Sequence, residues 1–287
     1  MFRTVRERLL FTYVAGCSVA TTVILLGMLG MIVSESLPAI SKVGLRFVFD
    51  RKWLPSSDSL TGEFNILPCL VGSALVAGIS VAIAGPVGVM TAIYIQYYAR
   101  PSVAVAMNSV VQIMAGMPSV VIGLFGLTKF ACWVSYFGLP GSGLLVGAMT
   151  LAVMIVPTVI LFSAAILGGR SSELYIAAFS LGMKKETIVR RFILPVSSHG
   201  LFAGVLLSLS RALGETMVVM MVCGNVARFP GSLFSPVRTL TASIALEMPY
   251  AMNVHRSSLF VCALVLVGLT SIATFLAELF QKTQQRK

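Results

Sequence analysis

The sequence predicts an all-α membrane protein with six transmembrane helices. Of its 287 residues, 57% are hydrophobic and only 11% are charged, and the mean hydropathy is +0.94. A soluble domain normally has about a quarter of its residues charged. The low charge density and a series of apolar runs of about 20 residues or more, the length that crosses a bilayer, together indicate a polytopic membrane protein.

The predicted spans follow one another along the whole chain. They cover roughly 9–33, 68–98, 104–129, 143–167, 200–225 and 258–281. The first span follows MFRTVRER and is longer than the apolar core of a secretory signal peptide, so we interpret it as a retained helix. We expect residues 1–287 to form a single transmembrane domain whose longest loop is 168–198.

The distribution of Lys and Arg predicts the orientation of this domain. Basic residues are denser in the loops that lie on the same side as both termini than in the two long loops at about 34–66 and 226–257. Because basic loop residues concentrate on the cytoplasmic side, we predict both termini in the cytoplasm of a multi-pass inner (plasma) membrane protein. The same topology signals account for the net charge of +11 without a nucleic-acid-binding module.

The sequence lacks the residue patterns of metal and ATP sites. Its five cysteines are scattered without a C-x-x-C motif, and its two histidines, His199 and His255, are far apart, so no metal site is predicted. No G-x-x-x-x-G-K-[ST] phosphate loop occurs in the chain. Transport driven by ATP would therefore use energy released on another chain.

Three prolines lie inside predicted spans: Pro86, Pro118 and Pro157. Each removes a backbone donor and disturbs the preceding turn. Freed carbonyls at membrane depth are tolerated where they are buried in protein or face water. We therefore predict helix breaks at these three positions, as transporters have around a pathway; kinking for packing alone is the alternative at any one of them.

The loop at 168–198 has a pattern that suits docking. Apolar residues recur at helical spacing from Leu174 to Leu181, and Gly182 can end that helix in the left-handed conformation. A second short basic segment, KKETIVRRF, leads into the fifth span. A short helix held outside the bilayer can dock into a groove on another protein, although an amphipathic helix on anionic lipid is the alternative.

Part of this loop, AAFSLGMKKETIVRRFILP, resembles the cytoplasmic EAA loop of ABC importer permeases. The family pattern is Glu-Ala-Ala, three residues, Gly, nine residues, then Ile-x-Leu-Pro. Ile176 stands at the Glu place and Phe192 at the Ile place, but the rest of the pattern matches. The matching residues are Ala177, Ala178, Gly182, Leu194 and Pro195. The resemblance implies coupling helices that sit in a cleft of a separate ATPase.

Other stretches narrow the resemblance. SRALGETMVVMMVCGN, followed by SLFSPVRTLTASIALEM, is similar to the C-type permeases of phosphate-specific ABC importers, and MAGMPSVVIGLFGL in the third span agrees. The likeness runs from about Trp53 to the last span. Two positions depart from that family. Gln96 stands where an acidic residue is usual, and Asn65 stands where a glycine is usual.

This resemblance implies a type I ABC importer permease fold and a role in moving inorganic phosphate across the inner membrane. It also implies partners: two ATPase subunits that hold ATP and Mg²⁺, a second permease subunit, and a periplasmic or lipid-anchored phosphate-binding protein. This chain would itself be no enzyme. The alternatives are an ABC permease for sulfate or molybdate, an ion-coupled secondary transporter, and, least supported by the residues present, a membrane-embedded enzyme.

Two opposite charges interrupt the apolar run LLSLSRALGETMVVMM. An Arg or Asp at a helix centre costs roughly 2.5–3.5 kcal/mol on insertion scales, so a charge kept there is a functional hypothesis. The spacing of four residues predicts that Arg211 and Glu215 lie on one helical face, within reach of each other. They would form either a self-neutralised structural pair or a site on an anion route, where an Arg suits a tetrahedral oxyanion.

We predict that Arg211 is a transient phosphate site and that Glu215 weakens it, because passage requires binding that also permits release. The hydrogen-bonding side chains of Thr216, Ser119 and Asn225 are predicted to add donors along the same substrate pathway.

Overall fold

The computed structural model describes residues 5–50, 52–55, 62–168 and 170–285. Within these ranges the chain forms eleven helices of α and π turns, which we label α1 to α11, a 3₁₀ turn at Met248–Tyr250 and a short hairpin. The helices are α1 (Val5–Val43), α2 (Arg46–Phe49), α3 (Leu67–Tyr98), α4 (Pro101–Gly116), α5 (Ser119–Tyr136), α6 (Leu144–Gly168), α7 (Arg170–Ser180), α8 (Lys185–Leu213), α9 (Met217–Val222), α10 (Leu240–Glu247) and α11 (Asn253–Gln285). The hairpin pairs β1 (Trp53–Leu54) with β2 (Glu63–Phe64) in antiparallel register.

Six helical segments in the described part of the chain are long and apolar enough to cross a membrane. They are Leu10–Val43, Leu67–Tyr98, Ser119–Tyr136, Leu144–Gly168, Lys185–Leu213 and Asn253–Lys282. The predicted all-α architecture with six spans is thereby confirmed.

The third span lies later in the chain than the predicted 104–129. Helix α4 ends at Gly116, and α5 begins at Ser119. Met117, between them, is extended, with φ −67° and ψ 134°. A residue before proline is forced away from the helical region by a clash with the proline ring. Pro118 therefore separates a short apolar helix from the spanning one, and the predicted break at Pro118 is confirmed.

The predicted breaks at the other two prolines are wrong. Pro86 lies inside the continuous α-helical part of α3, and Pro157 lies inside α6. These two helices pack closely along each other, and the Pro157 side chain is buried whereas that of Pro86 is exposed. A lost hydrogen bond bends or weakens a membrane helix without ending it when neighbouring helices support the turn.

The fifth span also differs from the predicted 200–225. It begins earlier, at Lys185, passes through a π-helical turn at Val189–Ile193, and ends at Leu213. Residues 214–216 are not helical, and α9 then continues for only six residues. This break falls between the two charged residues singled out in the sequence.

The central core lies where α3, α5, α6, α8 and α9 meet. Val76, Ala84, Leu151, Ile155 and Val218 are among its buried residues. By contrast, the apolar window of α1 has no buried residue, and α1 packs chiefly against α11. Helix α1 therefore lies at the edge of the bundle and presents an apolar surface to its surroundings.

Gly88 lies at a close contact of α3 with α6, and we predict that Gly88→Ala destabilises the bundle. An added Cβ would lie 2.6 Å from Val159 Cγ1 and 2.7 Å from Val159 Cβ. Overpacking of this kind costs about 1–3 kcal/mol, so we expect a lower melting temperature of the purified protein in detergent. Gly78→Ala on the same helix is the control, because a Cβ there meets nothing within 4 Å. Equal melting temperatures for the two variants would contradict this packing.

Candidate functional site

Arg211 lies in the last turn of α8, beside a break in the helix. The chain leaves the helix after Leu213, and α9 begins at Met217. A cation in the last helical turn is favoured by the partial negative charge of the helix C-terminus. The local sequence thus favours an arginine at this helix end without any acidic partner.

Arg211 and Glu215 do not form the predicted same-face pair. No ion pair joins them, and within the described ranges the exposed Arg211 side chain has no hydrogen-bond partner. The half-buried Glu215 instead lies near the start of α9, where its Oε1 is 3.5 Å from the Val218 nitrogen, and its backbone oxygen accepts a 2.8 Å hydrogen bond from Thr241 Oγ1. The prediction failed because the helix ends between the two residues.

Three other predicted pathway residues lie around α9. Ser119 begins α5, which packs against α9: a Cβ at Gly123 would lie 2.8 Å from Met221 Sδ. The hydroxyl of Thr216 lies 3.4 Å from the Gly214 oxygen. Asn225, beyond the end of α9, donates from Nδ2 to the Met220 oxygen at 2.7 Å. These residues thus lie at the ends of two packed helices, and no hydrogen bond among their side chains occurs in the described part of the protein.

A buried polar cluster that the sequence analysis did not identify is centred on Glu247, at the end of α10. Arg238 forms an ion pair with Glu247 Oε1. Trp53 Nε1 donates to Oε2 at 2.9 Å, and His255 Nε2 lies 3.0 Å from Oε2. A buried carboxylate is stable only when it is paired and hydrogen-bonded, and here it ties the hairpin to α10 and α11. We call these four residues the Glu247 cluster.

The Glu247 cluster is connected to the helix break. Arg238 Nε donates to the Asn225 oxygen at 2.9 Å, and the Val237 nitrogen donates to the Cys223 oxygen, also at 2.9 Å. From there the chain runs into α10, whose Thr241 holds the Glu215 backbone. Hydrogen bonds therefore link the hairpin to the segment that follows Arg211.

The Glu247 cluster forms part of the wall of an open cleft with a volume of about 620 Å³. The charged residues of this wall are Lys52, Arg228, Arg238 and Glu247, with His255 as a titratable neighbour. The side chains of Lys52 and Arg228 are exposed, and neither has a partner among the residues that the structure describes. Among the described residues that line the cleft, cations consequently outnumber anions. The sequence signal that was available was the presence of basic residues in the two long loops at about 34–66 and 226–257.

The segment predicted as a coupling loop forms α7 followed by a tight turn. Gly182 takes φ +76°, and the Met183 nitrogen donates to the Ala178 oxygen, which ends the helix as predicted. Ala178 is buried against Ile188 and Ile193, whereas Ala177 is exposed. The exposed surface of this segment carries three large apolar side chains, those of Ile176, Phe179 and Leu181.

Leu194 and Pro195 lie within α8 rather than at its start. The π-helical turn Val189–Ile193 comes directly before them. Such turns form where the regular hydrogen-bond ladder is interrupted, and Pro195 has no N–H to donate to the turn before it. These two residues therefore follow an interruption of the regular helix, and Pro195 is exposed while Leu194 is half-buried.

The comparison with known families agrees with this architecture. Residues 84–286 match the family described as binding-protein-dependent transport system inner membrane component. The chain belongs to this family. It is thus a multi-pass inner-membrane protein of the ABC importer permease class, a class that works with an ATPase and a substrate-binding partner.

Relatives of this permease cover nearly its whole length. It is 30% identical over 283 residues to the phosphate transport system permease protein PstC of Mesorhizobium japonicum, covering 91% of this chain and 85% of that one. It is also 30% identical over 267 residues to the probable ABC transporter permease protein YqgH of Bacillus subtilis, covering 92% and 86%.

A solved structure shows the same fold. The permease superposes on a chain of the MetNI methionine ABC transporter, in an inward-facing conformation, with a TM-score of 0.56 and 18% identity, covering 76% of this chain and 94% of that chain. At this identity the likeness bears on the fold alone, and it confirms the predicted type I permease fold.

Proposed function

We propose that this permease moves inorganic phosphate across the inner membrane as one subunit of an ABC importer. The observation that carries the proposal is the 30% identity, over 91% of the chain, to a protein named as a phosphate transport system permease. The guanidinium of Arg211, at a helix break, supports it: no described residue pairs with this cation, and an anion pathway needs a cation that is not already neutralised.

Arg211 binds the passing anion, and the other candidate residues assist it. Arginine remains charged at any relevant pH and can hold two oxyanion oxygens at once. Glu215 lies four residues further along the chain, in the non-helical segment between α8 and α9, and its negative charge limits the affinity for the anion. Thr216, Ser119 and Asn225 line the route. Binding strong enough to admit the anion and weak enough to release it is the condition for transport.

The remaining parts of the importer follow from this assignment. Two ATPase subunits hold ATP and Mg²⁺ and hydrolyse the ATP, so this chain has no catalytic role; a second permease and a phosphate-binding protein complete the complex. The chain acts as a single transmembrane domain with both termini in the cytoplasm. This orientation places α7 on the ATPase side and the 620 Å³ cleft on the outer side.

Uptake of labelled phosphate by proteoliposomes that contain the complete complex tests this function. We expect uptake that requires ATP inside the vesicles and the binding protein outside. An excess of sulfate should leave it unchanged. Uptake that persists without ATP would identify an ion-coupled transporter instead, and inhibition by sulfate equal to that by unlabelled phosphate would contradict phosphate as the specific cargo.

We predict that Leu181→Asp weakens binding of the ATPase. Leu181 is 82% exposed in the turn after α7, and burying a leucine in an interface contributes about 1.5–3 kcal/mol. We therefore expect the affinity between permease and ATPase, measured by light-scattering titration in nanodiscs, to fall by roughly 10- to 100-fold. Leu45→Asp, which changes a 76% exposed leucine near the hairpin, is the matched control. Equal losses in both variants would contradict docking at α7.

A further inference from the structure

We propose that the open cleft beside the Glu247 cluster is a second binding site, one that holds a small oxyanion on the outer side of the permease before it reaches Arg211. The proposal rests on the proposed function for its orientation and for phosphate as the anion. Arg211 does not line the cleft, whose wall includes β1, the start of α11 and the segment between α9 and α10; Asn225, in that segment, is shared by the cleft and the proposed route.

The charges of the cleft favour an anion. The carboxylate of Glu247 is fully engaged by Arg238, Trp53 and His255, so its charge is balanced within the wall. Lys52 and Arg228 then remain as cations whose charge no acidic neighbour offsets in the described ranges. Cations that line a concave surface with low-dielectric walls concentrate anions there.

The cations of the cleft lie at different depths. Lys52 and Arg228 are exposed at the rim, whereas the Arg238 side chain is only 20% exposed and lies beside the buried Glu247 and His255. A small anion that binds at the rim can therefore move toward a third cation, Arg238. Arg238 in turn contacts the Asn225 backbone, at the end of α9.

A labelling experiment tests this site with the cations intact. Leu54 lines the cleft and is 62% exposed, so a Leu54→Cys variant reports on occupancy. The permease complex in nanodiscs, without ATP or binding protein, is treated with a membrane-impermeant thiol reagent, and the parent chain supplies the background from its own cysteines. We expect inorganic phosphate at ten times its dissociation constant to slow labelling about tenfold. Chloride at equal ionic strength should not.

Two further variants make the result specific. Leu45→Cys, exposed outside the cleft, should label at the same rate with and without phosphate. Adding Lys52→Gln and Arg228→Gln to Leu54→Cys should weaken the protection by roughly 100-fold or more in phosphate concentration, since each removes a charge-assisted contact.

The outcomes separate this proposal from the proposed function. Absence of protection by any oxyanion, protection that survives loss of both cations, or protection that requires the binding protein would each overturn the cleft site, whatever the uptake assay shows. Protection by sulfate but not phosphate would support the site and contradict phosphate as the cargo.

Discussion

Arg211→Gln is expected to reduce phosphate uptake by roughly 10- to 100-fold while the complex still assembles. Glutamine keeps most of the length and polarity of the side chain but removes the charge. A hydrogen bond to a charged group contributes about 1.5–3 kcal/mol, and each 1.4 kcal/mol corresponds to a factor of ten. Because Arg211 has no ion-pair partner in the described part of the protein, removing its charge leaves no buried carboxylate unpaired.

The structural alternative makes the opposite prediction. If Arg211 only stabilised the end of α8, Arg211→Gln would lower the melting temperature and leave uptake per folded complex unchanged. Arg211→Lys is the matched control: it keeps the charge but loses the planar fork, so we expect intermediate uptake. Normal uptake by a fully assembled Arg211→Gln complex would refute the role of Arg211 in the pathway.

Glu247→Ala is expected to lower the stability of the permease by about 3 kcal/mol, since breaking a buried ion pair leaves an uncompensated charge. In this variant the Arg238 guanidinium would face Trp53 and His255 with no anion between them. The hairpin would also lose the hydrogen bond that ties Trp53 to α10. The temperature at which the detergent-purified protein loses its monodisperse peak measures the effect.

A second pair of variants isolates the ion pair. Combining Glu247→Gln with Arg238→Gln removes both charges, so we expect it to be less destabilising than Glu247→Ala. Glu278→Ala breaks the exposed Glu278–Lys282 pair, whose N···O distance is 3.9 Å, and should change stability by less than about 1 kcal/mol. Similar losses for Glu247→Ala and Glu278→Ala would show that the Glu247 cluster has no special structural role.

The contact between Trp53 and Glu247 shows how far local patterns reach. Trp53 belongs to the loop at about 34–66 and Glu247 to the loop at about 226–257, and the two residues are 194 apart in sequence. No periodicity or spacing in the sequence marks such a contact, because it depends on how the helices between the two loops pack. The cleft and the cations that line it follow from the same tertiary packing.

Some helix boundaries also follow from the local sequence, whereas others depend on tertiary packing. The sequence by itself determined that the chain crosses the membrane six times and that a short helix ends at Gly182, because apolar length and a residue that tolerates positive φ act locally. Only the tertiary structure decided that α3 and α6 continue through Pro86 and Pro157 and that α8 ends before Glu215. At the two prolines, packing against neighbouring helices compensates for the lost backbone hydrogen bond. At Glu215, the hydrogen bond from Thr241 holds the backbone oxygen outside a helix.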